Sequence, residues 1–161
     1  MVVLFGSNIE PRANLRRALA ELRARFAVTA VSPAYLTAPV GDTEQPDFVN
    51  AAVAIETDEE IDLVQSTLAE IEAALGRSRD PGRPSGPRTV DLDLVLAGDT
   101  VGRFGRLALP SPLLEREAFV AVPVADLDPG TRHPVSGESL GELAARLVAT
   151  GVAPRRLEEE P

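Results

Sequence analysis

Lysine, cysteine and tryptophan are all absent from this chain, and histidine occurs once, at His133. Without lysine there is no Schiff base, no pyridoxal-phosphate anchor and no Walker-type phosphate lysine. Without cysteine there is no disulfide framework, no thiolate zinc site and no thiol nucleophile. A Ser-His-Asp triad or a zinc centre would rest wholly on His133. Aromatic side chains make up only 4% of the 161 residues, so the core must be built from Leu, Val, Ala and Ile. No apolar run approaches the ~20 residues that span a bilayer. Met1 to Gly6 has neither the charged opening nor the length of a signal peptide. The formal charge of −9 is the opposite of the basic field that nucleic acid or an anionic membrane attracts. The expectation is a cytoplasmic protein, one domain over residues 1–161, binding neither nucleic acid nor membrane. Its chemistry falls to carboxylates, arginines, hydroxyls and backbone, an inventory that fits a divalent-metal and phosphate site.

What is present has a clear order. Val2 to Phe5 reads as a buried strand and Gly6-Ser7-Asn8 as a turn. Pro11 suits a first helical position, and Leu15, Ala18, Leu19, Leu22 and Phe26 recur at helical spacing, predicting a helix over 11–25. Val28 to Tyr35 and Phe48 to Ile55 read as strands, separated by a loop with Pro39, Gly41 and Pro46. Thr57 and Glu60 form a candidate capping box for a helix carrying Ile61, Val64, Leu68, Ile71 and Leu75, with Gly76 as its stop. Val90 to Leu96 is the next strand. Arg106 to Leu109 reads as a short strand, and Glu115 to Val120 as a short helix or turn. Ser139 and Glu142 cap a last helix with Leu140, Leu143 and Leu147. The order β-α-β-β-α-β predicts an α+β, ferredoxin-like antiparallel sheet with helices on one face, plus a C-terminal extension.

Asp91 and Asp93 lie two apart on a strand, so their carboxylates share one face, roughly 7 Å apart, while Val90, Leu92, Leu94 and Leu96 turn to the core. Paired carboxylates repel unless a cation sits between them, and Mg²⁺ beside phosphate needs only one or two protein carboxylates. A solvated polar strand face is the competing reading of a bare Asp-x-Asp. The preceding loop, Gly76 to Thr89, tips the balance: Arg77, Arg79, Arg83 and Arg88 oppose only Asp80, giving a local charge of +3 in an acidic chain. Guanidinium forks match phosphate oxygens. Thr37, Phe48 and Asn50 bracket the Pro39–Pro46 loop and suit a flat heterocycle, though Phe48 also fits a core position. His133 and Tyr35 read as structural, His133 as a surface or turn residue.

The run Gly86-Pro87-Arg88-Thr89-Val90-Asp91-Leu92-Asp93-Leu94 resembles the signature of the 6-hydroxymethyl-7,8-dihydropterin pyrophosphokinases of the folate pathway. Gly6-Ser7-Asn8, Thr37 to Gly41, Gln45 to Ala52, Ile71-Glu72 with Gly76-Arg77 and Arg79, and Ala118-Phe119-Val120 agree in order. The resemblance implies a ferredoxin-like monomer that transfers pyrophosphate from ATP to the pterin hydroxymethyl group. It implies two Mg²⁺ ions held by Asp91 and Asp93, and charge stabilisation by Arg77 and Arg88. It implies ATP contacts from Glu72, Arg77, Arg79, Arg88, Leu94 and Arg106, and a pterin pocket of Thr37, Ala38, Val40, Phe48, Asn50 and Phe119. The chain departs from the family pattern at Ser85 (commonly Trp), Ser111 (commonly His), Ala69 (commonly Gln) and Glu117 (commonly Arg). The last places a negative charge where the nucleotide is expected. The alternative is a divergent pterin-binding or regulatory homologue with weak or no turnover.

Overall fold

The computed structural model describes residues 1–41, 43–77 and 86–158. Its main sheet contains β1 (Val2–Ser7), β2 (Ala27–Val31), β3 (Tyr35–Thr37), β4 (Phe48–Glu56), β5 (Asp91–Leu96) and a short edge strand near the C-terminus. The order is β5-β1-β4, with β2 and β3 both pairing β4, and every pairing is antiparallel. This is the ferredoxin-like arrangement expected from the element order. The helices α1 (Pro11–Arg25) and α2 (Ile61–Ala74) cover one face. Val3, Phe5, Val49, Ala51, Val53, Leu92 and Leu94 project from the sheet into a core with Leu15, Leu22, Val64, Leu68 and Ile71.

The C-terminal extension covers the other face. Helices α3 (Ala118–Leu127) and α4 (Leu140–Thr150) close over Leu4, Ala52, Val95 and Leu96. α4 opens on the expected capping box: Ser139 Oγ accepts from Glu142 N–H at 3.2 Å, and the Glu142 carboxylate accepts from Ser139 N–H at 3.0 Å.

Several expectations are corrected. The strand expected over Val28–Tyr35 is two strands, because Pro33 cannot donate to the ladder. Ser32 takes over there: its N–H donates to Ala52 O and its Oγ accepts from Ala52 N–H, both at 2.8 Å. The Thr57–Glu60 box does not form. The helix starts at Ile61, too late for that frame, and Thr57 Oγ1 instead accepts from Glu59 N–H at 3.1 Å. Leu96 does not share the core of Leu92 and Leu94. The register with β1 slips between Val2 and Val3, and beyond the irregularity Leu96 turns to the opposite face.

The short turn of helix expected over Glu115–Val120 is a 3₁₀ turn (Pro112–Glu115) followed by the full helix α3. Its apolar residues lie on nearly every side and Pro123 stands inside it, so no 3.6-residue stripe was there to read. A hairpin of β6 (Gly102–Phe104) and β7 (Leu107–Leu109) was also not anticipated as a pair. Arg106 stands exposed in its turn rather than opening a strand. His133 is in a turn but only 1% exposed. Its Nδ1 accepts from Ser136 N–H at 3.2 Å, which folds the turn inward over the ring.

Candidate active site

Antiparallel partners face the same side of a sheet. Asp91 pairs with Gly6, Gly6 with Asn50, and Asn50 with Tyr35, so these four form one row across β5, β1, β4 and β3. The row lies on the face covered by the C-terminal extension: its Tyr35 end sits under α3 and its Asp91 end lies beyond that packing. A cavity opens there, lined by Leu4, Gly6, Thr37, Ala38, Val40, Phe48, Asn50, Arg88, Asp91, Asp93, Leu113 and Phe119. The structure therefore brings together all six residues expected around a heterocycle with both aspartates and Arg88.

The end of the cavity at Asn50 and Thr37 is preset. Asn50 is buried, and its Nδ2 donates to Thr37 Oγ1 at 2.8 Å. That bond fixes which way the amide faces, leaving the Asn50 carbonyl oxygen over Gly6. Phe48 and Phe119 are half-buried and present ring surface to the same cavity.

The charged end is an interlocked cluster. Arg77 pairs with Glu72 and, at 2.7 Å, with Asp91 Oδ1, while Arg88 pairs with Asp91 Oδ2. Glu72, at 7% exposure, also accepts the Leu92 N–H at 2.8 Å, fastening the end of α2 to β5. Arg77 is delivered to that spot by the helix terminus. Gly76 adopts φ +80°, Gly76 N–H returns to Ala73 O, and Arg77 N–H returns to Glu72 O, each at 3.0 Å. This is a Schellman motif, which only glycine closes without strain.

Glu72, Asp91 and Asp93 place three carboxylates against the guanidiniums of Arg77 and Arg88, so among the described residues the cluster has more carboxylates than guanidiniums. Burial, outweighing the help of the Leu92 N–H and Arg77, raises Glu72 above the usual carboxylate range. Its seat in the cleft wall and the neighbouring Asp91 and Glu72 push Asp93 up to about 7, against the pull of Arg77 and Arg88. Water still reaches Asp93 at the cleft mouth, so its desolvation is partial and the like charges carry weight in that shift.

These residues fit Mg²⁺. Asp91 and Asp93 open from one strand face to the cavity, where Arg88 is the one cation among the described lining residues, and Mg²⁺ takes most remaining ligands from phosphate and water. Among the described residues no group of three or more His, Cys, Asp or Glu side chains could hold an ion by itself, so a site closed by protein ligands alone does not fit.

The remaining expected residues lie elsewhere. Glu72 and Arg77 stand behind Asp91 rather than in the cavity lining. The Leu94 side chain is packed in the core, and Arg106 lies in the exposed β6–β7 turn, neither among the lining residues. Arg79, Arg83 and Ser85 lie outside the described residues. Glu117 is the N-cap of α3, and it lines a second cavity with Arg116, Leu147 and Pro154. It is not among the residues lining the cavity of Asp91 and Asp93, but the two cavities share Thr37, Ala38, Val40 and Phe119. Sequence reading missed Gly6, Leu4 and Leu113. Gly6 and Ser7 belong to β1 rather than to a turn, and the alternation Val3, Phe5 inward against Leu4, Gly6 outward was the available signal.

The sequence model of the 7,8-dihydro-6-hydroxymethylpterin-pyrophosphokinase family matches residues 2–129. The chain belongs to that family. It is 40% identical over 154 residues to the 2-amino-4-hydroxy-6-hydroxymethyldihydropteridine pyrophosphokinase of Pseudomonas aeruginosa, covering 93% of each chain. It is 39% identical to the protein of the same name from Methylorubrum extorquens, over 92% of this chain and 93% of that one. A Synechocystis protein, again of that name, is 36% identical over 95% of this chain and 78% of its own length. The matched segment contains the whole row from Asp91 to Tyr35 and both arginines of the cluster. Among the described residues no helix is long and apolar enough to cross a membrane.

Proposed function

We propose that this cleft carries out the transfer for which the family is named. Pyrophosphate passes from ATP to the hydroxymethyl group of 6-hydroxymethyl-7,8-dihydropterin, as a step of folate synthesis. The enzyme is then a diphosphotransferase. The reading rests on one observation: a single cavity joins the Asn50–Thr37 end, which can read a flat heterocycle, to the Asp91–Asp93–Arg88 end, which can hold a metal-bound polyphosphate.

The hydroxymethyl oxygen bonds the β-phosphorus and releases its proton to solvent, the bond from that phosphorus to the bridging oxygen of the α-phosphate breaks, and AMP leaves with that oxygen. Such a transfer needs positioning and charge neutralisation more than a strong base. Asn50 and Thr37 orient the heterocycle, with Phe48 and Phe119 against its faces. Asp91 and Asp93 would hold Mg²⁺, two ions in the full assignment, which would neutralise polyphosphate charge when bound. Arg88 lines the cavity, and Arg77 stands behind Asp91. Both are paired with Asp91 in this structure, so an arriving phosphate competes with that carboxylate for guanidinium.

The test is AMP release from ATP with Mg²⁺ and 6-hydroxymethyl-7,8-dihydropterin, using Asp93→Ala protein as blank. Pterin-dependent AMP above the blank is expected. Pterin binding with no AMP would leave a pocket without the chemistry.

A further inference from the structure

Three loops meet at Asn8, a residue that is 5% exposed and does not line the cavity. Its Oδ1 accepts from Arg88 N–H at 2.8 Å, and its own N–H donates to Arg88 O at 3.2 Å. Its Nδ2 donates to Gln45 Oε1 at 2.9 Å and to Pro46 O at 3.1 Å. The amide orientation follows from these partners, since the Arg88 N–H needs an acceptor and the Pro46 carbonyl a donor. The two loops that Asn8 ties serve opposite ends of the cleft. Pro46 lies two residues before Phe48 in the heterocycle wall. Arg88 grips Asp91 at the charged end.

We propose that Asn8 is a positioning residue that couples these two ends, so that filling one tightens binding at the other. The proposal rests on the pyrophosphokinase reading above. A shift of the Gln45–Pro46 loop onto a bound heterocycle is passed through one planar amide to the Arg88 backbone, and the reverse path is the same. Coupling of this kind is reciprocal. Asparagine is the residue that fits: one side-chain acceptor and two donors in a plane, on a stem short enough to sit between the loops. Aspartate keeps the acceptor for Arg88 and loses both donors toward Gln45 and Pro46, so it cuts one half of the link alone.

The experiment measures the affinity of the Mg²⁺ complex of an ATP analogue with a methylene between the α- and β-phosphorus atoms. It is measured without and then with saturating 6-hydroxymethyl-7,8-dihydropterin, and the ratio of the two affinities is the readout. Wild-type protein is expected to show a ratio of at least about fivefold, the low end of ordinary coupling. Asn8→Asp is expected to bring it below about twofold while leaving nucleotide affinity alone within about twofold. Gln45→Ala, a change on the outer side of the network, is expected to lower the ratio to half or less. It decides the matter if Asn8→Asp does not fold. A wild-type ratio retained in either folded variant overturns the coupling, as does wild-type protein that binds both ligands with a ratio of one. Wild-type protein that binds neither ligand overturns the underlying reading, an outcome seen before any variant is made.

Discussion

The Cα of Gly6 lies directly against the side-chain amide of Asn50, so close that a Cβ added at position 6 would overlap Asn50 Oδ1. Its backbone is not in the left-handed region, so the requirement is for space. Gly6→Ala is expected to turn the Asn50 amide off Thr37 and to lower pterin affinity about tenfold, equivalent to about 1.4 kcal/mol. Nucleotide affinity should stay within about twofold, and stability should fall by roughly 1–3 kcal/mol, as overpacking does. Titration calorimetry with each ligand separately checks the split. Equal loss for both ligands would mean that the row from Asp91 to Asn50 does not divide the cleft as described.

Asp91 and Asp93 are separated by one residue and differ in what their loss does to the fold. The Asp91 side chain is 16% exposed and held by Arg77 and Arg88, themselves 11% and 27% exposed. Asp91→Asn leaves those guanidiniums without their shared counter-charge and is expected to cost about 1–3 kcal/mol, less than a fully buried pair because water reaches Arg88. Asp93 is open to the cleft mouth and crowded by like charge. Asp93→Asn should leave the melting temperature unchanged or raise it near pH 8. Both variants should lose at least about a hundredfold in Mg²⁺-dependent turnover, the order set by removing one preorganised electrostatic group. Thermal melts without ligand, beside AMP release, check it. A destabilised Asp93→Asn would refute the repulsion argument.

Glu117 tests a different assignment. Because it lines the second cavity, Glu117→Arg is expected to leave Mg-ATP affinity within about twofold, where a residue facing the polyphosphate would tighten it about fivefold or more. A competition binding assay at low ionic strength is the sensitive form of the measurement. Marked tightening would return Glu117 to the nucleotide.

The sequence carried what depends on local periodicity. The helix over 11–25, the Ser139–Glu142 cap and the shared face of Asp91 and Asp93 all follow from spacing and all appear in the structure. It did not carry what depends on pairing. Leu96 changes face because the register with β1 slips, and nothing in Leu94-Val95-Leu96 announces the slip. Gly6 looked like a turn because its role is set by Asn50, forty-four residues away. Asn8 likewise has partners at Gln45 and Arg88, and neither is visible from its own neighbours.

Tyr35 offers a pH test that this composition makes unusually clean. Its hydroxyl donates to Asp126 Oδ2 at 2.5 Å. Burial first, and then the hydrogen bond and charge of Asp126, raise its pKa from the ordinary 10 to about 12. The chain has no lysine, no cysteine and one tyrosine, so no other side-chain type ordinarily titrates between those values. The folded state keeps the phenol proton where the unfolded chain releases it. The stabilisation is therefore complete below pH 10 and is lost as the pH rises toward 12. Tyr35→Phe should flatten that window. At neutral pH it should cost about 1 kcal/mol, a modest figure because exposed Asp126 regains water. Ultraviolet titration of the tyrosinate band reports this single residue. A midpoint near 10 in the folded protein would show that the Asp126 contact does not hold in solution.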